Sequence, residues 1–225
     1  MRRFVPALML AAGALDQFPL DLFQPLSAAP GRPPLVAWIG DAFTERQRQI
    51  AELFDLIAYT DTGMLARHHE LGFRSSAACV PLGATRAGSV PDRERAPRLA
   101  FVAAPTDNRR ALLASVRTPV AIFGPGWQDA AGLEHHATVP RRVMPDELAR
   151  IYASHLGVLN IRHGVYVING LNQRHFAPYI QGTPVVTDAQ PDIPHCFEEG
   201  REMLVWRDGA ELEALAERMR QDPGW

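Results

Sequence analysis

The sequence predicts an α/β protein made of two parallel-sheet units, the first truncated. Three observations lead there. Short continuous apolar runs at Leu35–Ile39, Leu56–Tyr59, Leu99–Ala103, Val120–Phe123 and Val158–Ile161 read as strands buried on both faces. Between them lie stretches with helical apolar spacing. A span without either period, residues 84–97, parts the pattern into two blocks and reads as a linker. Strand–helix alternation on both sides of that span calls for parallel sheets covered by helices, hence two Rossmann-like units. The expected boundaries are 1–83 for a partial first unit and 98–225 for a more complete second one.

Each element has its own signal. Residues 1–33 read as one or two short helices closed by the proline-rich turn Pro30–Pro34. Thr44 and Gln47 form a capping-box pattern ahead of Ile50, Leu53 and Phe54, predicting a helix over about 44–54. A helix from about Thr62 ends at Gly72, and Ala78–Pro81 reads as a very short strand. In the second block, Asp107 caps a helix carrying Leu112, Leu113 and Val116 on one face. Pro145 suits a first helical turn, with Leu148, Ile151 and Tyr152 following at apolar spacing. A helix is predicted over Asn172–Gln181 with Gly182 at its C-terminus, then a strand at Val185–Thr187. An amphipathic helix over Ala210–Arg220 closes the series.

Composition narrows the function classes. The 225 residues are 47% hydrophobic and 21% charged, as in an ordinary globular chain. All 23 basic residues are arginine, a mark of GC-rich codon usage given the Ala, Pro and Gly content. Schiff-base and phosphate-loop lysine chemistry is thereby excluded. A net charge of −2 advertises no nucleic-acid partner. No stretch approaches the roughly 20 apolar residues of a membrane span. Arg2 and Arg3 before the run Phe4–Leu15 have the look of a short leader. Pro6 interrupts that run, however, and Phe18, Leu20, Leu22 and Phe23 carry the apolar pattern onward. Cys79 and Cys196 lack CxxC spacing, so a reduced, cytoplasmic chain is expected. The apolar N-terminal segment, against a sheet short of strands, is expected to be covered by self-association or a partner chain.

Ligands of open parallel sheets bind outside the carboxyl ends of the strands, so the loops there carry the candidate residues. Asp107-Asn108-Arg109-Arg110 opens a helix, and its free N–H groups with the Arg109 guanidinium suit a phosphate; two solvated arginines are the plainer reading. Gly124, Gly126 and Trp127 offer a close backbone approach and an exposed aromatic, or simply a turn. The densest polar stretch follows Val158–Ile161: Arg162, His163, Asn169, Asn172, Gln173, Arg174 and His175, broken by Gly164 and Gly170. Amides, an imidazole and guanidiniums at a helix start suit a diphosphate or sugar hydroxyls. The adjacent pairs His68-His69 and His135-His136 diverge on a helix, HExxH is absent, and no metal site is expected. Asp41 directly follows the first apolar strand, as a cleft-facing base or a plain carboxylate near a helix.

The stretch Pro145–Asp188 resembles the C-terminal domain of GT-B glycosyltransferases, in particular the spore-maturation-protein-type branch. Its order is a helix ending Ile-Tyr-Ala, a strand ending Leu-Asn, then Asn-x-Arg-x-Phe and a glycine before the next strand. The resemblance extends more loosely over residues 34–222. It implies sugar transfer from a nucleotide-sugar donor, used as substrate with no cofactor or metal, to an unidentified acceptor. It places Arg109 on the donor diphosphate, Asn169, Asn172 and Arg174 in the donor loop, and Gly182 and Thr183 after the donor-binding helix. An inverting reaction needs a base, for which Asp41 and His163, expected on facing sides of the groove between units, are the candidates. Where the family has two glutamates eight positions apart, this chain has Asn169 and Ala177, and an arginine of the family is replaced by Ala104. A non-catalytic module that binds a nucleotide sugar, or docks onto a partner enzyme, is the alternative reading.

Overall fold

Four apolar segments build the first sheet, and the hydrogen-bonded order is simply their order in the chain. The structure, a computed structural model, describes residues 6–84, 94–129 and 131–222. The chain divides into two compact units, Met1–Leu82 with Gly164–Leu171, and Gly83–His163 with Asn172–Trp225. The short segment 164–171 belongs with the first unit. Most of the expected linker, residues 85–93, lies outside the described residues.

In the first unit β1 (Met9–Gly13), β2 (Leu35–Ile39), β3 (Leu56–Tyr59) and β4 (Ser76–Cys79) lie side by side, all parallel. Helices α1 (Leu20–Ala28), α2 (Arg48–Ala51) and α3 (Thr62–Glu70) connect them. Leu15, Leu35, Ile39, Ile57, Tyr59 and Met64 form the core. Each large side chain so buried contributes about 1.5–3 kcal/mol.

Three local expectations change here. β1 replaces part of the helical N-terminus, because pairing Met9–Gly13 with Leu35–Ile39 outweighs the helix preference of Met, Leu and Ala. Leu8 and Leu10 are exposed, while Leu15 is buried. The Thr44–Gln47 capping box forms, but it starts a 3-10 turn, Glu45–Gln47, ahead of the short α2. β4 begins two residues earlier than predicted and stops short of Pro81, which has no N–H to give a ladder.

The second unit holds β5 (Ala96–Val102), β6 (Val120–Phe123), β7 (Ala137–Val139), β8 (His155–Asn160), β9 (Val185–Asp188) and β10 (Leu204–Trp206). Their spatial order is β10-β9-β8-β5-β6-β7, with every pair parallel. The order therefore reverses between β5 and β8, the point at which such sheets bind ligands. Helices α4 (Asp107–Ser115), α5 (Pro145–Ala153), α6 (Ile193–Cys196) and α7 (Gly209–Gln221) complete the unit. Leu99 and Phe101 of β5 face one core with Leu113, Ile122, Leu212 and Met219. Ala100, between them, faces the other with Ile151, Tyr152 and Val158, as the two-residue period of a strand requires.

Asn172–Gln181 is not one helix. It forms two 3-10 turns, Gln173–His175 and Ala177–Gln181, parted at Phe176. Pro178 has no N–H for an α-helical bond to position 174, and its ring disfavours helical geometry at Ala177. Among the described residues, no helix is long and apolar enough to cross a membrane.

Candidate active site at the carboxyl edge of the second sheet

Arg109 and Arg174 both come to the carboxyl ends of β5 and β8. Arg109 sits on the first turn of α4 and is buried. Its guanidinium donates to the Ile161 carbonyl through Nε (3.2 Å) and Nη2 (3.0 Å), and to the Ala104 carbonyl through Nη1 (2.9 Å). Arg174 is half-buried, within the 3-10 turn that Asn172 caps by accepting from the Arg174 N–H at 2.9 Å. Its Nε donates to Asn160 Oδ1 at 2.9 Å, and its Nη1 makes a long contact of 3.5 Å to the Val102 carbonyl.

Neither arginine forms an ion pair among the described residues. Burial, reinforced by the neighbouring charge of Arg174, brings the Arg109 pKa down to about 10 against the opposing pull of Asp188. Burial also lowers that of Arg174, with Tyr152 and Asp188 acting the other way. Two like charges share a desolvated edge with only partial compensation, an arrangement that favours an incoming anion.

A polar network supports them. Asn160, fully buried at the end of β8, donates through Nδ2 to Thr187 Oγ1 at 3.0 Å and accepts at Oδ1 from Asn172 Nδ2 at 3.0 Å. His175 is fully buried beside it, and burial drives its pKa down to about 4, so the ring is neutral at physiological pH. Asp188, raised by burial, accepts the Arg162 N–H at 3.1 Å. A cleft of about 320 Å³ opens on this edge, lined among others by Asn108, Arg162, Asp188, Trp206 and Arg207.

The remaining predicted residues take varied places. Trp127 is not an exposed aromatic: it is fully buried against Phe101, with its indole N–H on the Ala103 carbonyl at 2.7 Å. Arg110, one position after Arg109, lies over its ring instead and donates to the Gly126 carbonyl. Gly124 carries φ of +137°, and an added Cβ would stand 2.5 Å from the Ala103 carbonyl oxygen, so the turn requires glycine. Thr183 is buried with its hydroxyl on the Tyr152 carbonyl at 2.9 Å, and the Gly182 carbonyl accepts from Arg95. Asn169 belongs to the first unit, its N–H on the Asp61 carboxylate at 3.1 Å and its amide on Thr62 Oγ1 at 3.2 Å. Asp41 is exposed just past the end of β2, and His163 is half-buried just past β8; they belong to different units.

Sequence reasoning passed over Asn160, Thr187 and Asp188. The signal was present: polar residues at the carboxyl ends of otherwise apolar strands.

Parallel order with a reversal, arginines at the carboxyl ends and a Gly-bounded turn after β6 define the second unit as a Rossmann-like domain. A family model described as glycosyl transferase-like matches residues 105–224, just over half of the chain. The chain belongs to this glycosyl transferase-like family. No curated protein matches it. Solved structures share the fold at low identity. Sucrose-phosphate synthase from Thermosynechococcus elongatus is 13% identical, with a TM-score of 0.68 over 97% of this chain and 65% of that one. Anabaena Alr3699/HepE in complex with UDP and glucose is 14% identical, with a TM-score of 0.63 over 96% of this chain and 69% of that one. A UDP-forming trehalose-phosphate synthase from Burkholderia xenovorans is 10% identical, with a TM-score of 0.61 over 96% and 66%. The chain thus spans about two thirds of the length of these structures.

Proposed function

We propose that the chain acts as a metal-independent glycosyltransferase that takes a sugar from a nucleoside-diphosphate donor to an acceptor hydroxyl. The observation that carries this reading is the pair Arg109 and Arg174, buried or half-buried at the switch point and without an ion pair among the described residues. A diphosphate supplies the missing negative charge. Asn172 and the Gly124–Trp127 turn complete the donor edge. A uridine donor is supported by the UDP named for the Anabaena and Burkholderia structures. The Asn172-x-Arg174-x-Phe176 pattern supports placement in the spore-maturation-protein-type branch. Cys79 and Cys196 remain thiols, which suits a reducing cytoplasm.

In the reaction, the acceptor oxygen bonds to the anomeric carbon as the bond from that carbon to the diphosphate oxygen breaks. The departing diphosphate gains charge, and guanidiniums fixed beforehand stabilise it most where that charge is largest. With inversion, the acceptor proton passes to His163 or to Asp41.

Calorimetry with UDP, GDP and inorganic pyrophosphate tests the binding step. Arg174→Gln is expected to weaken binding about 10- to 100-fold, as for losing a hydrogen bond to a charged group. Unchanged affinity in a folded Arg174→Gln protein refutes the assignment. Donor binding without hydrolysis or transfer from any nucleotide sugar would leave the non-catalytic module instead.

A further inference from the structure

We propose that Asn160 is a positioning residue for Arg174. The proposal rests on the reading of Arg174 as the anion-binding group. A buried carboxamide can present oxygen or NH2 to a neighbour with nearly the same shape, so something must select between them. Here Oδ1 accepts from Arg174 Nε at 2.9 Å and from Asn172 Nδ2 at 3.0 Å. A flipped amide would set its NH2 against both of these donors.

The selection comes from the guanidinium itself, which has only donors to offer, so the oxygen of the amide must face Arg174 Nε. At the other end Nδ2 donates to Thr187 Oγ1 at 3.0 Å. His175 is buried beside that end and ties the turn together, its Nδ1 lying 3.0 Å from the N–H and 3.1 Å from the carbonyl of Asn172.

An amide orients a guanidinium without cancelling its charge; a carboxylate in the same place would do both. The distinction matters for a residue whose task is to meet an anion. Held at Nε by Asn160, Arg174 has its terminal nitrogens bound, among the described residues, only by the long contact to Val102. They are oriented in advance and still available to a ligand.

The test uses the full chain and inorganic pyrophosphate as probe. Asn160→Asp preserves shape while placing a carboxylate on Arg174 Nε. Pyrophosphate affinity is expected to fall about 10-fold or more, with the unfolding midpoint retained and a shallower salt dependence as one cation is neutralised. A purely structural Asn160 would leave the salt dependence of a folded Asn160→Asp protein unchanged. Affinity within about twofold of wild type in Asn160→Asp, alongside weakening in Arg174→Gln, overturns this inference and leaves the assigned function standing. Wild-type affinity in Arg174→Gln defeats the underlying reading as well.

Discussion

Replacing Asp61 with alanine should cost the first unit about 3–5 kcal/mol, and the structure shows why so much rests on one side chain. Asp61 is buried at the N-terminus of α3. Its Oδ1 accepts from the N–H groups of Gly63 at 2.7 Å and Met64 at 3.2 Å, which is the helix cap. Its Oδ2 accepts from Ile168 at 2.8 Å, and Asn169 donates to both oxygens at 3.1 Å. Four backbone donors from two remote stretches of chain thus share one carboxylate. Gly170 makes the approach possible, since a Cβ there would stand 2.7 Å from Asp61 Cβ.

Losing the cap costs about 0.5–2 kcal/mol. Orphaning the Ile168 and Asn169 amides adds about 1–3 kcal/mol each, reduced where water enters the vacated space. Asp61→Asn retains one acceptor oxygen for the cap and turns an NH2 toward Ile168, so about half of the loss is expected. Urea unfolding followed at Trp38, which lies on β2, reports on this unit. Hydrogen exchange should show the Ile168 and Asn169 amides losing protection. A loss below about 1 kcal/mol in Asp61→Ala, with both amides still protected, would refute the account.

Gly124→Ala should destabilise the second unit by about 2–4 kcal/mol, combining left-handed backbone strain with the clash on the Ala103 carbonyl; a melting temperature equal to wild type would contradict this. Stability should also fall as pH drops from about 6.5 toward 4, because the unfolded chain protonates His175 while the folded chain, with its pKa near 4, resists. The depressed histidine contributes at most about 3 kcal/mol, fully present above pH 6.5 and lost as pH falls through the folded value. Urea midpoints of wild type and His175→Gln measured across that range check it: the variant should show the shallower slope, and parallel slopes would exclude His175 as the source.

Much of the fold was legible because parallel strands buried on both faces print themselves as apolar runs. Leu35–Ile39, Leu56–Tyr59 and Val120–Phe123 coincide with β2, β3 and β6 residue for residue. What escaped were elements whose signal is not periodic. β7 and β10 have three residues each and α6 has four, too few for a period to register. β1 is rich in helix formers, and only its neighbour β2 makes it a strand. The single helix expected over Asn172–Gln181 had the right apolar spacing, but Pro178 removes the bond that would have joined its two turns.

The candidate site was legible in its residue types and not in its pairings, and Arg109 with Arg110 shows the reason. Adjacent on one helix, they point about 100° apart, so one enters the sheet edge while the other lies on Trp127. The sequence contains both guanidiniums and no record of which face is covered. Arg174 and His175 repeat the problem in a 3-10 turn, where one is the charge and the other its support. A stronger signal lay in the strands. Asn160 in Val158–Ile161 and Thr187 in Val185–Asp188 are polar residues inside apolar runs, at fully buried positions. A buried amide or hydroxyl is tolerated only where partners are waiting. Both occur at carboxyl ends, beside the strand-order reversal, so their partners had to be the very loops that carry Arg174 and His175. The interruption of an apolar strand by Asn or Thr therefore locates a site more sharply than a cluster of surface charges does.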